Sequence, residues 1–358
     1  MVFDSKVPLV SVGMSVYNGG KTLRRALESI LSQDYHNLEL IISDNASTDE
    51  TAEICKEFAS RDSRIAYYRA ERNMGAAWNF NHVIKLSKGK YFVRMSHDDI
   101  RAQAYLSKCV ALLESNQDAV LSHSYTAAFY GDIINVLTII THDSMVGIHC
   151  PRKRFIAALK HLPASAIDGV MRAETLKTKT RLMENYISSD IVLTHELSLY
   201  GEFVQVPEVL FWRSGKAVLP APQEIYPLYG IGKKIPKLYY PFLTVAANHA
   251  KSIFRAPLSI LCKLSLLIYL IYHEIQIITL KAIFRAVTAL VGASCPAFII
   301  KIALSVVINP NVHLQKHSQE LPPAVQPLWM LLNHRNLKNS QDLQLKLVEK
   351  LLKKVHGE

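Results

Sequence analysis

Between residues 9 and about 213, short β-rich apolar runs alternate with segments of helical periodicity. The candidate strands are Val10–Val16, Leu38–Ser43, Ile65–Arg69, Tyr91–Met95 and Ala119–Tyr125. Between the first two strands, apolar residues recur from Leu23 to Leu31 with the spacing of an amphipathic helix. This alternation predicts an α/β fold with a mostly parallel sheet, flanking helices and right-handed crossovers.

The rest of the chain divides by composition. Further helices are predicted near 50–60, 76–87, 103–115, 151–161 and 189–200, and two short strands at Phe203–Val206 and Val209–Arg213. Eight prolines and glycines within 214–241 break any regular pattern and predict a linker. We therefore expect a catalytic domain over 1–213, a linker over 214–241, and a C-terminal apolar and basic helical region over 242–358.

The net positive charge comes entirely from the C-terminal third of the chain. The chain carries a net charge of +11, and residues 231–358 alone hold 16 Lys and Arg against 5 Asp and Glu. The longest charge-free stretch there, Ala286–Ile300, has 15 residues, fewer than the roughly 20 that a spanning helix needs. Helices lying in a membrane interface fit this pattern, and an ordinary helical subdomain packed on the first domain is the alternative.

Composition also bears on partners and location. The lysines alternate with long aliphatic runs instead of aromatic and polar side chains, which favours an anionic membrane surface over nucleic acid. The five cysteines are far apart, so neither a disulfide framework nor a zinc finger is expected. No secretory signal is evident. We expect a cytoplasmic protein, peripheral at the inner face of the cell membrane.

Polar clusters follow three of the predicted strands, where ligands bind in open α/β sheets. Tyr17 ends the first strand, and its ring could stack on a base or simply cover the surface of a turn. Asp44 stands at the tip of the second and could accept a ligand N–H or serve as a turn former. Asp98 and Asp99 follow the fourth strand. Adjacent carboxylates repel each other, so this pair favours a hard divalent cation, although such pairs also occur in solvated turns.

Two more residues are candidates by position. Arg72 precedes a glycine-containing turn that opens a helix, a setting suited to phosphate or base recognition, although arginine is also a common surface residue. Asp190 follows two serines at the start of a predicted helix, where an acid also interacts favourably with the helix dipole.

Taken in order, these clusters resemble glycosyltransferase family 2, the inverting nucleotide-sugar enzymes with the GT-A fold. The likeness covers about residues 8–213 and is carried by V-S-V-G-M-S-V-Y-N-G, I-I-S-D-N-A-S-T-D-E-T, E-R-N-M-G-A-A-W-N-F-N and G-K-Y-F-V-R-M-S-H-D-D. The chain departs from the family pattern at Ser15, Asn45 and His97.

The resemblance implies a role for each candidate residue. Tyr17, Asp44, Arg72 and Asp98 would bind the donor, and Asp99 would hold Mn²⁺ or Mg²⁺ against its diphosphate. Asp190 aligns with the catalytic base of the family. The usual Glu-Asp pair is absent there, so Glu184 and Glu196 remain alternatives for the base.

The implied activity is transfer of a sugar, with inversion, from a nucleotide donor to a hydroxyl acceptor, a UDP-sugar being the favoured donor. The setting points to a glycan or lipid-linked acceptor in cell-surface polysaccharide synthesis. A non-catalytic scaffold of the same fold that binds a membrane or protein partner is the alternative. A P-loop nucleotidase is disfavoured because Gly19-Gly20-Lys21-Thr22 lacks the earlier glycine of that motif.

Overall fold

The computed structural model describes residues 7–160, 165–215 and 241–291. The chain forms two compact units, Met1–Glu274 and Ile275–Glu358, and every contact below lies within the first. The predicted linker falls mostly on 216–240, outside the described residues, as does everything beyond 291, so the predicted domain boundary stays a prediction.

The described elements alternate between strand and helix through the first half of the chain. The strands are β1 Val10–Val16, β2 Leu38–Asp44, β3 Ile65–Arg69, β4 Tyr91–Met95, β5 Ile100–Arg101, β6 Ala119–Tyr130, β7 Asp132–Ile140, β8 Val170–Arg172 and β9 Glu202–Ser214. The α-helices are α1 Gly20–Leu31, α2 Thr51–Arg61, α3 Ala76–Leu86, α4 Tyr105–Ser115, α5 Pro151–Lys160, α6 Ser189–Leu197, α7 Pro241–Arg255 and α8 Ile260–Val291. A 3₁₀ turn at Ala166–Asp168 and a π-helix at Thr175–Lys179 lie between α5 and α6.

One nine-stranded sheet joins the strands in the order β3-β2-β1-β4-β8-β6-β9-β5, with β7 beside β6. The first four run parallel, so the carboxyl ends of β1, β2 and β4 meet at one edge. β1 is buried along nearly its whole length because helices cover both faces of this part of the sheet. A Cβ at Gly13 would lie 2.5 Å from the Phe92 ring, so only glycine fits there.

The helices bury one apolar stripe each. In α1, the side chains of Leu23, Leu27 and Ile30 are fully buried against the sheet, as their spacing predicts. Each such side chain contributes about 1.5–3 kcal/mol to stability relative to leaving it in water. The mixed α/β sheet with flanking helices confirms the predicted fold class.

The rest of the sheet differs from the prediction in the extent of β9 and in the additional strands β5, β7 and β8. β9 is one continuous strand where two were predicted, because Val206 and Val209 pair with consecutive residues of β6 and Pro207 and Glu208 form a bulge between them. β7 and β8 were not predicted. β8 has only three residues and inserts antiparallel between β4 and β6.

The C-terminal helices pack on the α/β domain through a separate apolar cluster. Its fully or nearly fully buried members are Phe155, Leu199, Ile253, Leu266 and Leu270, drawn from α5, the turn after α6, α7 and α8. One face of these helices therefore packs on the α/β domain, as in the alternative to helices that lie in a membrane interface. The opposite face of α8 is considered below.

Candidate active site

The loops after β1 and β2 are joined to each other at the carboxyl edge of the sheet. Four backbone N–H groups donate across the gap: Asn18 to Ser47 Oγ (2.9 Å), Gly19 to Thr51 Oγ1 (2.9 Å), Gly20 to Asp49 Oδ2 (3.0 Å) and Thr48 to Asn18 Oδ1 (2.8 Å). Asn18 has a φ of 51°, a left-handed conformation that asparagine tolerates. These bonds bring half-buried Tyr17 and buried Asp44 to the same edge.

Asp44 is a buried carboxylate with a defined orientation. Its Oδ1 accepts the Ser47 N–H at 2.8 Å, and its Oδ2 accepts the Tyr67 hydroxyl at 2.9 Å. The guanidinium of Arg69 lies 3.7 Å from Oδ2. Because ionised carboxylate oxygens offer about four acceptor positions in all, Asp44 retains capacity for a further donor.

Asn45 fixes the loop that carries Arg72. Its Oδ1 accepts the Met74 N–H at 2.8 Å, and its Nδ2 donates to Asn73 Oδ1 at 2.8 Å. Gly75 then enters α3 with a φ of 87°, a conformation that favours glycine. Arg72 itself is exposed, and its side chain forms no hydrogen bond or ion pair with the described residues.

The loop between β4 and β5 carries the two adjacent acids. It contacts the start of α1, where Thr22 Oγ1 and His97 Nδ1 lie 3.1 Å apart. Asp98 is half-buried, whereas Asp99 is buried and its Oδ1 accepts the Ser214 N–H at 2.9 Å. Burial, together with the carboxylates of Asp168 and Asp98, raises the pKa of Asp99 to about 7.

Beside this loop lies a buried ion pair that the sequence analysis did not identify. Arg94 Nε donates to Asp168 Oδ1 at 2.6 Å, and Arg101 and Tyr105 donate to the Asp168 carbonyl. Burial opposes ionisation of Asp168, but Arg94 and Arg101 lower its pKa overall. Asp168 Oδ2 is buried and has no hydrogen-bond partner among the described residues.

Asp190 lies in the first turn of α6. The preceding Ser188 has a φ of 70°, so the chain enters the helix through a left-handed residue. Asp190 is half-buried, and its Oδ1 accepts the Ile191 N–H at 3.0 Å. The negative charge of Asp190 also acts on Arg94. Burial tends to lower the pKa of Arg94, but the carboxylates of Asp168, Asp190 and Asp99 raise it overall. Asp168 is the acid in direct contact with this guanidinium, at 2.6 Å.

The two alternative candidates for the base have other partners. Arg181 contacts Glu184 at 3.0 Å and also lies 3.8 Å from Glu196, whose side chain is buried. Arg255 of α7 lies 4.0 Å from the same Glu196 carboxylate. Glu196 thus contributes to the attachment of α7.

The structure brings the loops that carry Tyr17, Asp44 and Asp98 to one sheet edge, with Asp99 beside Asp98. Asp190 lies at the start of α6, and its negative charge contributes to the raised pKa of Arg94. Arg72 follows on the neighbouring loop that Asn45 orders. No set of three or more His, Cys, Asp or Glu side chains placed to hold a metal occurs within the described parts of the chain.

The site residues that the sequence analysis missed differ in how they could have been found. Arg94 is a charged residue inside the apolar run Tyr91–Met95, and Arg69 ends a predicted strand. Their positions in the sequence could therefore have marked both as candidates. Asp168 lies in a short turn without periodicity, and its place beside Arg94 depends on the β8 insertion.

The sequence is similar to those of known glycosyltransferases. Residues 11–161 match the family model described as Glycosyl transferase family 2. EpsE of Bacillus subtilis (strain 168) is 42% identical over 111 residues, which are 31% of this chain and 40% of EpsE. Glycosyltransferase GlyG of Streptococcus pneumoniae serotype 4 is 36% identical over 118 residues, 33% of this chain and 39% of GlyG. The chain thus spans about two fifths of the length of these relatives.

A solved structure shares the fold. The crystal structure of S. aureus TarS 1–349 in complex with UDP-GlcNAc has a TM-score of 0.56 at 15% identity, covering 90% of this chain and 86% of that chain. The likeness extends the fold assignment beyond the family match. The resemblance to glycosyltransferase family 2 is confirmed for residues 11–161, and the GT-A-type fold is confirmed with it.

Proposed function

We propose that this protein is a metal-dependent, inverting glycosyltransferase that moves a sugar from a nucleoside diphosphate donor to a hydroxyl acceptor. The observation that carries the proposal is the convergence of the loops that carry Asp44, Asp98 and Asp99 at the carboxyl edge of the sheet. Ligands of open α/β sheets bind at this edge. The family match over 11–161 supports the same activity.

The donor would lie across the loops after β1, β2 and β4. Tyr17 would stack on the base and Asp44, held by Ser47 and Tyr67, would accept an N–H from its polar edge. Asp98 would bind the ribose or a phosphate, and the exposed guanidinium of Arg72 suits a phosphate. S. aureus TarS, which shares this fold, was crystallised with UDP-GlcNAc, and this supports a UDP-sugar as the donor.

The residues around Asp99 fit a divalent cation. The carboxylates of Asp98 and Asp168 act on the buried carboxylate of Asp99, and Asp168 Oδ2 has no hydrogen-bond partner among the described residues. A cation would relieve the repulsion between these negative charges. Protein ligands are few, which suits Mg²⁺ or Mn²⁺ because these ions keep positions for water and substrate phosphates. Asp99 would hold the ion. When bound, it would neutralise charge on the departing diphosphate.

Asp190 would act as the base. In a single displacement, the acceptor hydroxyl attacks the anomeric carbon, Asp190 takes the hydroxyl proton, and the nucleoside diphosphate leaves with inversion. Arg94, paired with Asp168, would help to position the acids of the site. Glu184 and Glu196 are weaker candidates because both contact Arg181.

The acceptor is proposed at the level of class. A glycan or lipid-linked hydroxyl in cell-surface polysaccharide synthesis fits a protein whose net positive charge comes from the residues beyond 230.

A product-release assay tests the proposed function. The full chain is incubated with a panel of nucleotide sugars and Mn²⁺ or Mg²⁺, and the released nucleoside diphosphate is measured with and without chelator. We expect release from one donor class, dependent on the metal and absent in Asp190→Asn. Equal release from the wild type and Asp190→Asn, or release that excess chelator leaves unchanged, would contradict the proposal.

A further inference from the structure

One side of α8 is aliphatic and exposed. Ile260, Leu264, Ile268 and Ile271 follow one another at intervals of four, four and three residues, so they form a single stripe along the helix. Their side chains are between 50% and 76% exposed, and Leu261 beside them is 80% exposed. We call these five residues the outer stripe of α8.

The opposite side of the same helix is attached to the domain. Leu266 and Leu270 are buried against Phe155 of α5 and Ile253 of α7. The window Ile260–Ile277 is long and apolar enough to cross a membrane, the one such window in the described residues. Because one side of the helix contacts the protein through Leu266 and Leu270, we favour an orientation along a bilayer surface, with the exposed side toward the lipid.

The surroundings of the outer stripe are basic. From residue 241 to 273 the chain contains Lys251, Arg255 and Lys263 and no acidic residue. Arg152 of α5 contacts α8, since its Nε donates to Ser265 at 2.8 Å. The next residue along α5, Lys153, is exposed. Exposed aliphatic side chains in a basic stretch of the chain, with Arg152 beside them, match the interface of an anionic bilayer.

A pocket adjoins the stripe at Arg152. It has a volume of about 370 Å³ and is lined by Arg152, Ser265, Ile268, Tyr269 and Tyr272. Only Nε of Arg152 is used in the bond to Ser265, so the terminal nitrogens of its guanidinium remain for an anion. One cation beside aliphatic and aromatic walls suits a lipid phosphate with its glycerol and upper acyl carbons.

We propose that the outer stripe and the Arg152 pocket form a binding surface for a bilayer containing anionic phospholipid. The outer stripe enters the interface, and Arg152 binds a headgroup phosphate. The proposal uses none of the residues of the candidate active site and does not rest on the proposed activity. It would place the domain against the membrane by α5 and α8.

Vesicle flotation of the full chain tests this surface. The wild type is mixed with phosphatidylcholine vesicles with and without phosphatidylglycerol at low salt, and the floated fraction gives the partition coefficient. The test variant is the double substitution Leu264→Gln and Ile268→Gln. The control is Ile134→Gln and Ile139→Gln on β7, where the side chains are 81% and 54% exposed.

We expect the wild type and the β7 control to float with anionic vesicles. The α8 variant should lose about tenfold or more in partitioning, because two aliphatic side chains no longer enter the interface. Arg152→Gln should lose about fivefold on anionic vesicles only, whereas Lys56→Gln on α2 should bind as the wild type does. Matching thermal melts would confirm that each variant is folded.

Several results would overturn the proposal. These are a wild type that stays at the bottom of the gradient, an α8 variant that floats as the wild type does, and a β7 control that loses as much as the α8 variant. Displacement of the protein from vesicles by inorganic phosphate would assign the Arg152 pocket to a free anion. A stable dimer in solution that the α8 variant dissociates, without flotation, would assign the stripe to a second copy of the chain.

Discussion

At the scale of single residues, Asp99 is a carboxyl group whose charge is poorly solvated. It is 3% exposed, and the Asp168 and Asp98 carboxylates lie near it. The substitution Asp99→Asn keeps the shape and an oxygen for the Ser214 N–H but removes the negative charge. We expect turnover in the product-release assay to fall by roughly 10³-fold, because stabilisation of the leaving diphosphate is lost.

The control for Asp99 is a carboxylate outside the site. Asp62 pairs with Arg64 at 2.7 Å on the surface between α2 and β3, and Asp62→Asn should leave turnover unchanged. Equal turnover in Asp99→Asn and Asp62→Asn would remove Asp99 from the site.

The identity of the base can be tested with three amide substitutions. We expect Asp190→Asn to lower kcat by about 10²–10⁴-fold with little change in KM for the donor, as for loss of a general base. Glu184→Gln should retain kcat. Glu196→Gln should lower the melting temperature instead, since Arg181 and Arg255 lose a buried partner. Loss of kcat in Glu184→Gln with retention in Asp190→Asn would transfer the role to Glu184.

The candidate site residues that could be predicted from the sequence are those that directly follow a strand. A polar residue directly after an apolar β-rich run must lie at the strand end, as Asp44 and Asp98 do. Tyr67 and Asp168 could not be placed in this way. Tyr67 reaches Asp44 from a neighbouring strand, and Asp168 reaches Arg94 from 74 residues away, so both contacts depend on tertiary structure.

At the scale of elements, periodicity predicted the parallel half of the sheet well. The bounds of β1, β3 and β4 agree with the prediction. For β1 and β4 the reason is that buried parallel strands are short apolar runs bounded by turns. β8 was missed because three residues, Val170–Arg172, are too few to show a pattern. β7 was missed because its side chains are mostly exposed on both faces, so no alternation marks it.

Two buried histidines link α6 to α7. His195 Nδ1 and His249 Nε2 lie 3.0 Å apart, and the rings stack with centroids separated by 5.0 Å. Burial, with the charges of His273 and Arg181, lowers the pKa of His249 to about 3, and burial and His249 lower the pKa of His195 as well. Both rings are therefore neutral in the folded protein, one donating and one accepting.

This pair should make stability depend on pH. Between pH 6.5 and about 3 the unfolded chain binds a proton at His249 and the folded chain does not, so stability falls as pH falls, and the lowered pKa of His195 acts in the same direction. At pH 5 the loss from His249 is about 2 kcal/mol. We expect urea unfolding to show a smaller decrease in stability from pH 7.5 to pH 5 for His249→Leu than for the wild type.

The difference in pH dependence between the wild type and His249→Leu separates the contribution of His249 from that of other titrating groups. Asp99, whose pKa is raised to about 7, acts in the opposite direction, because the folded state then binds the extra proton between pH 3.8 and 7. Its contribution is the same in both proteins and cancels in the difference. Identical pH dependence of the wild type and His249→Leu would show that His249 is protonated in the fold.

At the scale of the whole molecule, a few buried polar groups join the C-terminal helices to the α/β domain. Arg181 donates to the Asn248 carbonyl and side chain of α7 at 2.8 Å while it faces Glu196 of α6. The composition of 242–308 indicated helices but not which side would be covered. That depends on Phe155 and Leu199, which lie far away in sequence.

The central claim is that the acids at the carboxyl edge of the sheet bind the diphosphate of a nucleotide through a divalent ion. Calorimetric titration of UDP and GDP into the full chain, with Mn²⁺ and with chelator, tests it without knowledge of the sugar or the acceptor. We expect binding of one nucleotide to strengthen by roughly tenfold or more with Mn²⁺ in the wild type, and to show no such gain in Asp99→Asn. Equal affinity with Mn²⁺ and with chelator in the wild type, or no binding of either nucleotide, would contradict the claim.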